Sequence, residues 1–176
     1  MKKLLSLVLV CILMFSLCAC GDDPSLVGSG SGNSNLNNNT SVGDKTFKLG
    51  DSVELNDIVV TFVGISKSTG STYNKPEDGK VFILCEFEIV NNSKEDLAVS
   101  SMMSFEAYYD DYSCDLSFGA LMEKGNKTQL DDTVAPGKKM KGVVGYEIPV
   151  DWKEFEIQYT LDLFSNDKIT FVTTNN

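Results

Sequence analysis

The chain has 176 residues and a net charge of −10, from 25 acidic and 15 basic side chains. Every basic residue is lysine; histidine and arginine are absent. That excludes imidazole-based catalytic triads and His-rich metal sites, removes guanidinium clamps for phosphate, and makes nucleic acid a disfavoured partner because an acidic surface repels it.

The chain opens on two lysines, Lys2 and Lys3, followed by Leu4 to Leu17, a run that is apolar except for Ser6 and Ser16. As a helix this run rises about 21 Å, short of a hydrocarbon core roughly 30 Å thick. It therefore reads as an export segment, residues 1–19, and not as a stable span. Leu17-Cys18-Ala19-Cys20 closes it with a leucine, a small residue and a cysteine. This stretch resembles the lipobox of bacterial lipoproteins. The resemblance implies cleavage before Cys20 and a diacylglyceryl group on its thiol, and so a location on the outer face of the cytoplasmic membrane. Two acyl chains anchor a protein stably where one does not. A mature chain of 157 residues would carry 13 lysines against 25 acids, a net charge of −12.

Gly21 to about Lys45 is almost entirely Gly, Ser, Asn and Asp. Such a stretch has too little apolar surface to offset the entropy of ordering, so residues 20–45 are expected to form a flexible linker. Its root-mean-square reach would be about 25–30 Å.

From Thr46 the pattern turns to period two, and residues 46–174 read as one all-β domain. Ile58–Ile65 is β-branched and aromatic, as strands prefer. Val81–Val90 is the clearest strand: Cys85, Phe87 and Ile89 share one face, Glu86 and Glu88 the other. Phe105, Ala107 and Tyr109 alternate with polar residues. In Met140–Ile148, Val144, Tyr146 and Ile148 share a face, and Pro149 ends the strand. Phe155–Leu161 alternates again, and Ile169–Val172 is the last strand. Only the region of Gly119 to Lys124 suggests a helix, of one turn. Many short strands parted by turn residues imply an antiparallel β-sandwich.

Three stretches carry a further likeness: Gly50-Asp51 before a short and then a long strand; Gly79-Lys80 running through a hydrophobic strand into Asn91-Asn92-Ser93; and Val134-Ala135-Pro136-Gly137, Gly142, then Val144 to Pro149. Together they resemble the telokin-like, immunoglobulin-like domain of unknown function carried by many Gram-positive lipoproteins. The resemblance covers about Phe47 to Leu163 and implies an immunoglobulin-like sandwich at the cell envelope, with no catalytic residues to carry over. The Cys…Trp…Cys framework of antibody domains is missing, since Trp152 follows both Cys85 and Cys114.

Cys85 and Cys114 remain outside the signal and the lipidation site. Outside the cytoplasm they could form a disulfide; they read equally as two buried thiols. Tyr108-Tyr109-Asp110-Asp111-Tyr112 is the candidate binding patch, since tyrosines give rigid amphipathic contact area and acids give polar partners. The same residues also read as a hairpin turning at Asp110-Asp111. Asp110, Asp111 and Asp115, or Asp131 and Asp132, suggest calcium, but neither set matches a calcium-loop spacing. No G-x-S-x-G elbow is present. The expectation is a non-catalytic envelope module without a cofactor, bound to the membrane by lipid and to an unidentified envelope protein or ligand. A calcium- or small-ligand-responsive module is the alternative, and a carboxylate-dependent hydrolase the remote one.

Overall fold

The computed structural model of the chain describes residues 23–28, 45–161 and 167–175. Residues 1–19, read above as an export segment, and Cys20 lie outside these residues. Twelve strands and one short helix are present among them.

Two five-stranded sheets face each other. The first runs β1 (Ser25–Gly28), β3 (Ser52–Leu55), β4 (Ile58–Ser68), β5 (Lys80–Asn91), β10 (Lys138–Pro149). The second runs β2 (Thr46–Lys48), β12 (Lys168–Thr174), β11 (Glu154–Thr160), β7 (Phe105–Tyr109), β8 (Tyr112–Cys114). A separate ribbon pairs β6 (Leu97–Ser100) with β9 (Asp131–Val134). All pairings between named strands are antiparallel except β2 with β12. The architecture is an antiparallel β-sandwich, as the period-two pattern implied.

The alternation read from the sequence decides what faces the interior. Cys85, Phe87 and Ile89 of β5 are buried, while Glu86 and Glu88 are half-buried on the outer face. Phe62 of β4 stacks on Phe87 at 4.7 Å, and Phe171 of β12 meets both rings edge-on at 5.8 Å. Phe87 also meets Phe105 at 5.3 Å, and Phe105 meets Tyr159 at 5.1 Å. These rings join the two sheets across the core. Truncating a buried Phe to Ala in such a cluster typically costs about 3–5 kcal/mol.

The outer face of β5 and β10 departs from simple alternation. Leu84 and Val143 would meet water, but helix α1 (Phe118–Met122) covers them with Leu121. Ser117 caps this helix, accepting the Ala120 N–H at 3.1 Å. Gly145 makes the close approach feasible: a Cβ there would lie 2.9 Å from the Ala120 Cβ and 3.1 Å from the Leu121 nitrogen. The one-turn helix expected near Gly119 thus lies at Phe118–Met122 and seals a second, small apolar cluster.

One expectation needs correction. Within the stretch read as a flexible linker, Ser25–Gly28 is a strand on the edge of β3. The reason is Leu26, an apolar residue in a polar run, which packs half-buried against the core. Of the two readings left open for Cys85 and Cys114, the structure has the free thiols, Cys85 buried and Cys114 half-buried. They stand on facing sheets, Cys85 on an inner strand and Cys114 on the edge strand β8, away from the paired central positions of an antibody-type bridge.

Candidate functional site

The β7–β8 hairpin is where the structure concentrates exposed aromatic and acidic side chains. Asp110 and Asp111 both take left-handed backbone angles, φ 46° and 69°, the geometry of a two-residue type I′ turn. Short polar side chains tolerate this conformation best after glycine. The Asp110 N–H donates to the Glu154 carbonyl at 3.0 Å. Its carboxylate accepts the Glu154 N–H at 2.9 Å and the Lys153 N–H at 3.0 Å. These backbone donors, Glu154 first, hold the Asp110 carboxyl below its usual pKa. Asp110 therefore fixes the turn to the start of β11, and its carboxylate is already engaged.

The tyrosines divide between the two sides of the hairpin. Tyr108 looks outward and pairs in register with Glu156. Together with Asp110, Asp111, Glu154 and Glu156 it lines a groove of about 120 Å³. Four of its five lining residues are acids. Tyr109 looks the other way, into a larger groove of about 340 Å³ whose polar lining includes Lys80, Asp115, Ser117 and Glu147. Lys80 is paired with Glu77 at 2.6 Å, and that bond raises its pKa. Glu147 accepts the Glu77 N–H at 2.7 Å. Cys114 also lines this groove, and burial pushes its thiol up to about 12. Tyr112 stands 68% exposed at the tip, with its ring 5.8 Å from that of Tyr109.

The surrounding end of the sandwich is also rich in exposed apolar side chains. Tyr73, in the β4–β5 loop, is 99% exposed, and Val150 follows β10. Phe118 and Met122 project from α1, which Asn74 ties to the loop by donating to the Gly119 carbonyl at 2.9 Å. Scattered exposed apolar residues are ordinary; several at one end are less so.

The candidate patch Tyr108, Tyr109, Asp110, Asp111 and Tyr112 thus falls together at one hairpin, while Cys20 lies outside the described residues. Glu154, Glu156, Lys80 and Glu147 join the site without having been singled out in the sequence. The signal for the first two was present: the alternation of β11 puts Glu154 and Glu156 on the outward face. Among the described residues no group of three or more His, Cys, Asp or Glu is arranged to hold a metal ion. Asp131, considered for calcium, accepts the Ser101 N–H and hydroxyl, both at 2.8 Å. Among the described residues no helix is long and apolar enough to cross a membrane.

Residues 47–169 match the family described as "Domain of unknown function (DUF4352)". The chain belongs to that family. Two solved structures from Bacillus subtilis share the fold of this DUF4352 protein. One is ycdA, named a "putative lipoprotein": TM-score 0.57, 20% identity, 68% of this chain and 37% of that one. This chain therefore spans a little over a third of that relative's length. The other is the yjhA protein: TM-score 0.54, 17% identity, 70% of this chain and 96% of that one. A Clostridium difficile protein described as an uncharacterized beta-sandwich aligns at TM-score 0.47 and 18% identity, over 77% of this chain and 99% of that one. No functionally curated protein matches the sequence.

Proposed function

We propose that this DUF4352 protein is a lipid-anchored module on the outer face of the cytoplasmic membrane, and that it binds an envelope partner through the β7–β8 hairpin without catalysing a reaction. The observation that carries the binding surface is the shared lining: one hairpin walls both grooves and carries exposed Tyr112 at its tip. Such an arrangement offers an aromatic anchor between two polar clefts, the form in which few residues supply most of the binding energy. The outer groove, with Asp111, Glu154 and Glu156 beside Tyr108, fits a basic segment of a partner better than an acidic one. The anchor rests on the Leu17–Cys20 stretch, and the likeness to a relative named a "putative lipoprotein" is consistent with it.

Two measurements test the two halves separately. For the anchor, Cys20→Ala should leave the membrane fraction and lose labelling by palmitate; retention in the membrane pellet refutes it. For the surface, a photo-crosslinker replacing Tyr112 in the tagged, lipidated protein should trap a specific envelope component in cells, identified by mass spectrometry. A crosslinker at Lys94, at the opposite end of the sandwich, is the control. If position 94 captures the same component as strongly, the hairpin is not the binding surface.

A further inference from the structure

Strand β1 lies outside residues 47–169, the part that matches the family, and is supplied by the tether. It covers the edge of β3 that would otherwise be open, one of the ways natural sheets protect an edge. Leu26 stands opposite fully buried Val53 and packs on the core, while Val27 is half exposed at a local irregularity in the pairing. Ser25 stands opposite Glu54, near the β3–β4 turn, and its hydroxyl faces the Glu54 carbonyl at 3.5 Å.

The register then fixes a direction. Glu54 pairs with Val59, Val59 with Val90, and Val90 with Lys139, so the start of β1 is level with that end of the first sheet. Lys80, Tyr109 and Glu147, which line the larger groove, sit at the other end, where Lys80 pairs with Pro149. Val90 lies ten residue steps along β5 from Lys80, about 33 Å at the rise of a strand.

We infer that Ser25–Gly28 is a docking strand that shortens the tether and orients the domain, holding its β3–β4 end toward Cys20 and turning the hairpin end away from the membrane. This rests on the reading of Cys20 as the lipid-bearing residue. Only residues 21–24 then separate Cys20 from the folded domain, so Ser25 lies within about 17 Å of the anchor even when the segment is fully extended. With β1 released, the tether would lengthen to the whole stretch before Thr46, and the domain would lose its orientation. Docking is favoured within one chain because both partners are on it, at high effective concentration.

The test uses the mature, lipidated chain in vesicles of phosphatidylcholine and phosphatidylglycerol carrying an acceptor dye on the headgroups. A donor dye is attached through Lys94→Cys, at the end near β1, or through Tyr73→Cys, at the hairpin end, each in a Cys114→Ser background. Energy transfer should be severalfold stronger from position 94 than from position 73. Leu26→Asp should collapse that difference and remove hydrogen-exchange protection from those β3 amides that face β1, the amides bonded to β4 keeping theirs, while Val27→Asp, at an exposed position, should preserve both. Circular dichroism confirms that each variant keeps its sandwich. Equal transfer from the two positions in the parent chain overturns the inference, as does a difference that survives Leu26→Asp. A dimer in which β1 pairs with β3 of a second copy, seen by sedimentation, also overturns it. A chain that does not float with the vesicles refutes the Cys20 reading and the orientation together; one that floats without orientation refutes the docking strand alone.

Discussion

Asp110 and Glu154 exchange two hydrogen bonds: the Asp110 N–H donates to the Glu154 carbonyl at 3.0 Å, and the Glu154 N–H donates to the Asp110 carboxylate at 2.9 Å. This reciprocal pair separates the two acids of the hairpin tip. Asp110 is committed to the backbone of β11, whereas the Asp111 carboxylate lines the outer groove. Mutating both at once would confuse a broken turn with a lost contact. Asp110→Ala should lower the melting temperature and weaken the hairpin. Asp111→Gly should keep or raise it, because glycine adopts the left-handed angle of that position freely. Thermal denaturation followed by circular dichroism checks both. If Asp110→Ala melts with the parent chain, the carboxylate does not hold the hairpin.

The phenols of Tyr146 and Tyr159 are buried with no hydrogen-bond partner among the described residues. A buried hydroxyl left unpaired costs about 1–3 kcal/mol, and its removal without a change of shape releases that cost. Tyr146→Phe and Tyr159→Phe should each therefore be neutral or stabilising by up to about 1–3 kcal/mol in urea denaturation. Phe105→Ala, beside Tyr159 in the ring cluster, should in contrast destabilise by about 3–5 kcal/mol. A loss of more than about 1 kcal/mol in either Tyr→Phe variant would show that its hydroxyl has a partner of ordinary hydrogen-bond strength.

Long strands were legible because one face of each is apolar. The pattern of Val81–Val90 gave β5 to within one residue at each end, and that of Phe155–Leu161 gave β11. The strands of the separate ribbon were not legible. β6 and β9 are four residues each, with one polar residue in β6 and three in β9, and their pairing depends on sequence separation that periodicity does not encode. The Asn56-Asp57 turn repeats the left-handed geometry of Asp110-Asp111 without a glycine to mark it. β1 was hidden for a different reason: composition averages over a window, and the short pair Leu26-Val27 within a polar run is outweighed by its neighbours. At the site, the Tyr and Asp run was visible as a hairpin tip. Its partners, Glu154 and Lys80, come from strands distant in sequence, and only the fold brings them to it.

Burial raises the pKa of four groups, the thiols of Cys85 and Cys114 and the phenols of Tyr146 and Tyr159. For each, the neutral form is favoured in the folded chain. Below the unfolded values, about 8.5 for a thiol and 10 for a phenol, both states keep their protons and stability does not depend on these groups. Above them the unfolded chain releases protons that the folded chain retains, so stability falls as pH rises. The window between about pH 8.5 and 10 isolates the thiols, because lysine and tyrosine titrate higher. The melting temperature should decline through that window in the parent chain. Cys114→Ser, which removes the half-buried thiol at the larger groove, should flatten part of the decline, and the Cys85→Ala/Cys114→Ser double variant most of it. Melting curves taken at half-unit steps decide the matter. A double variant that declines in parallel with the parent chain would show that the thiols do not set the alkaline limit.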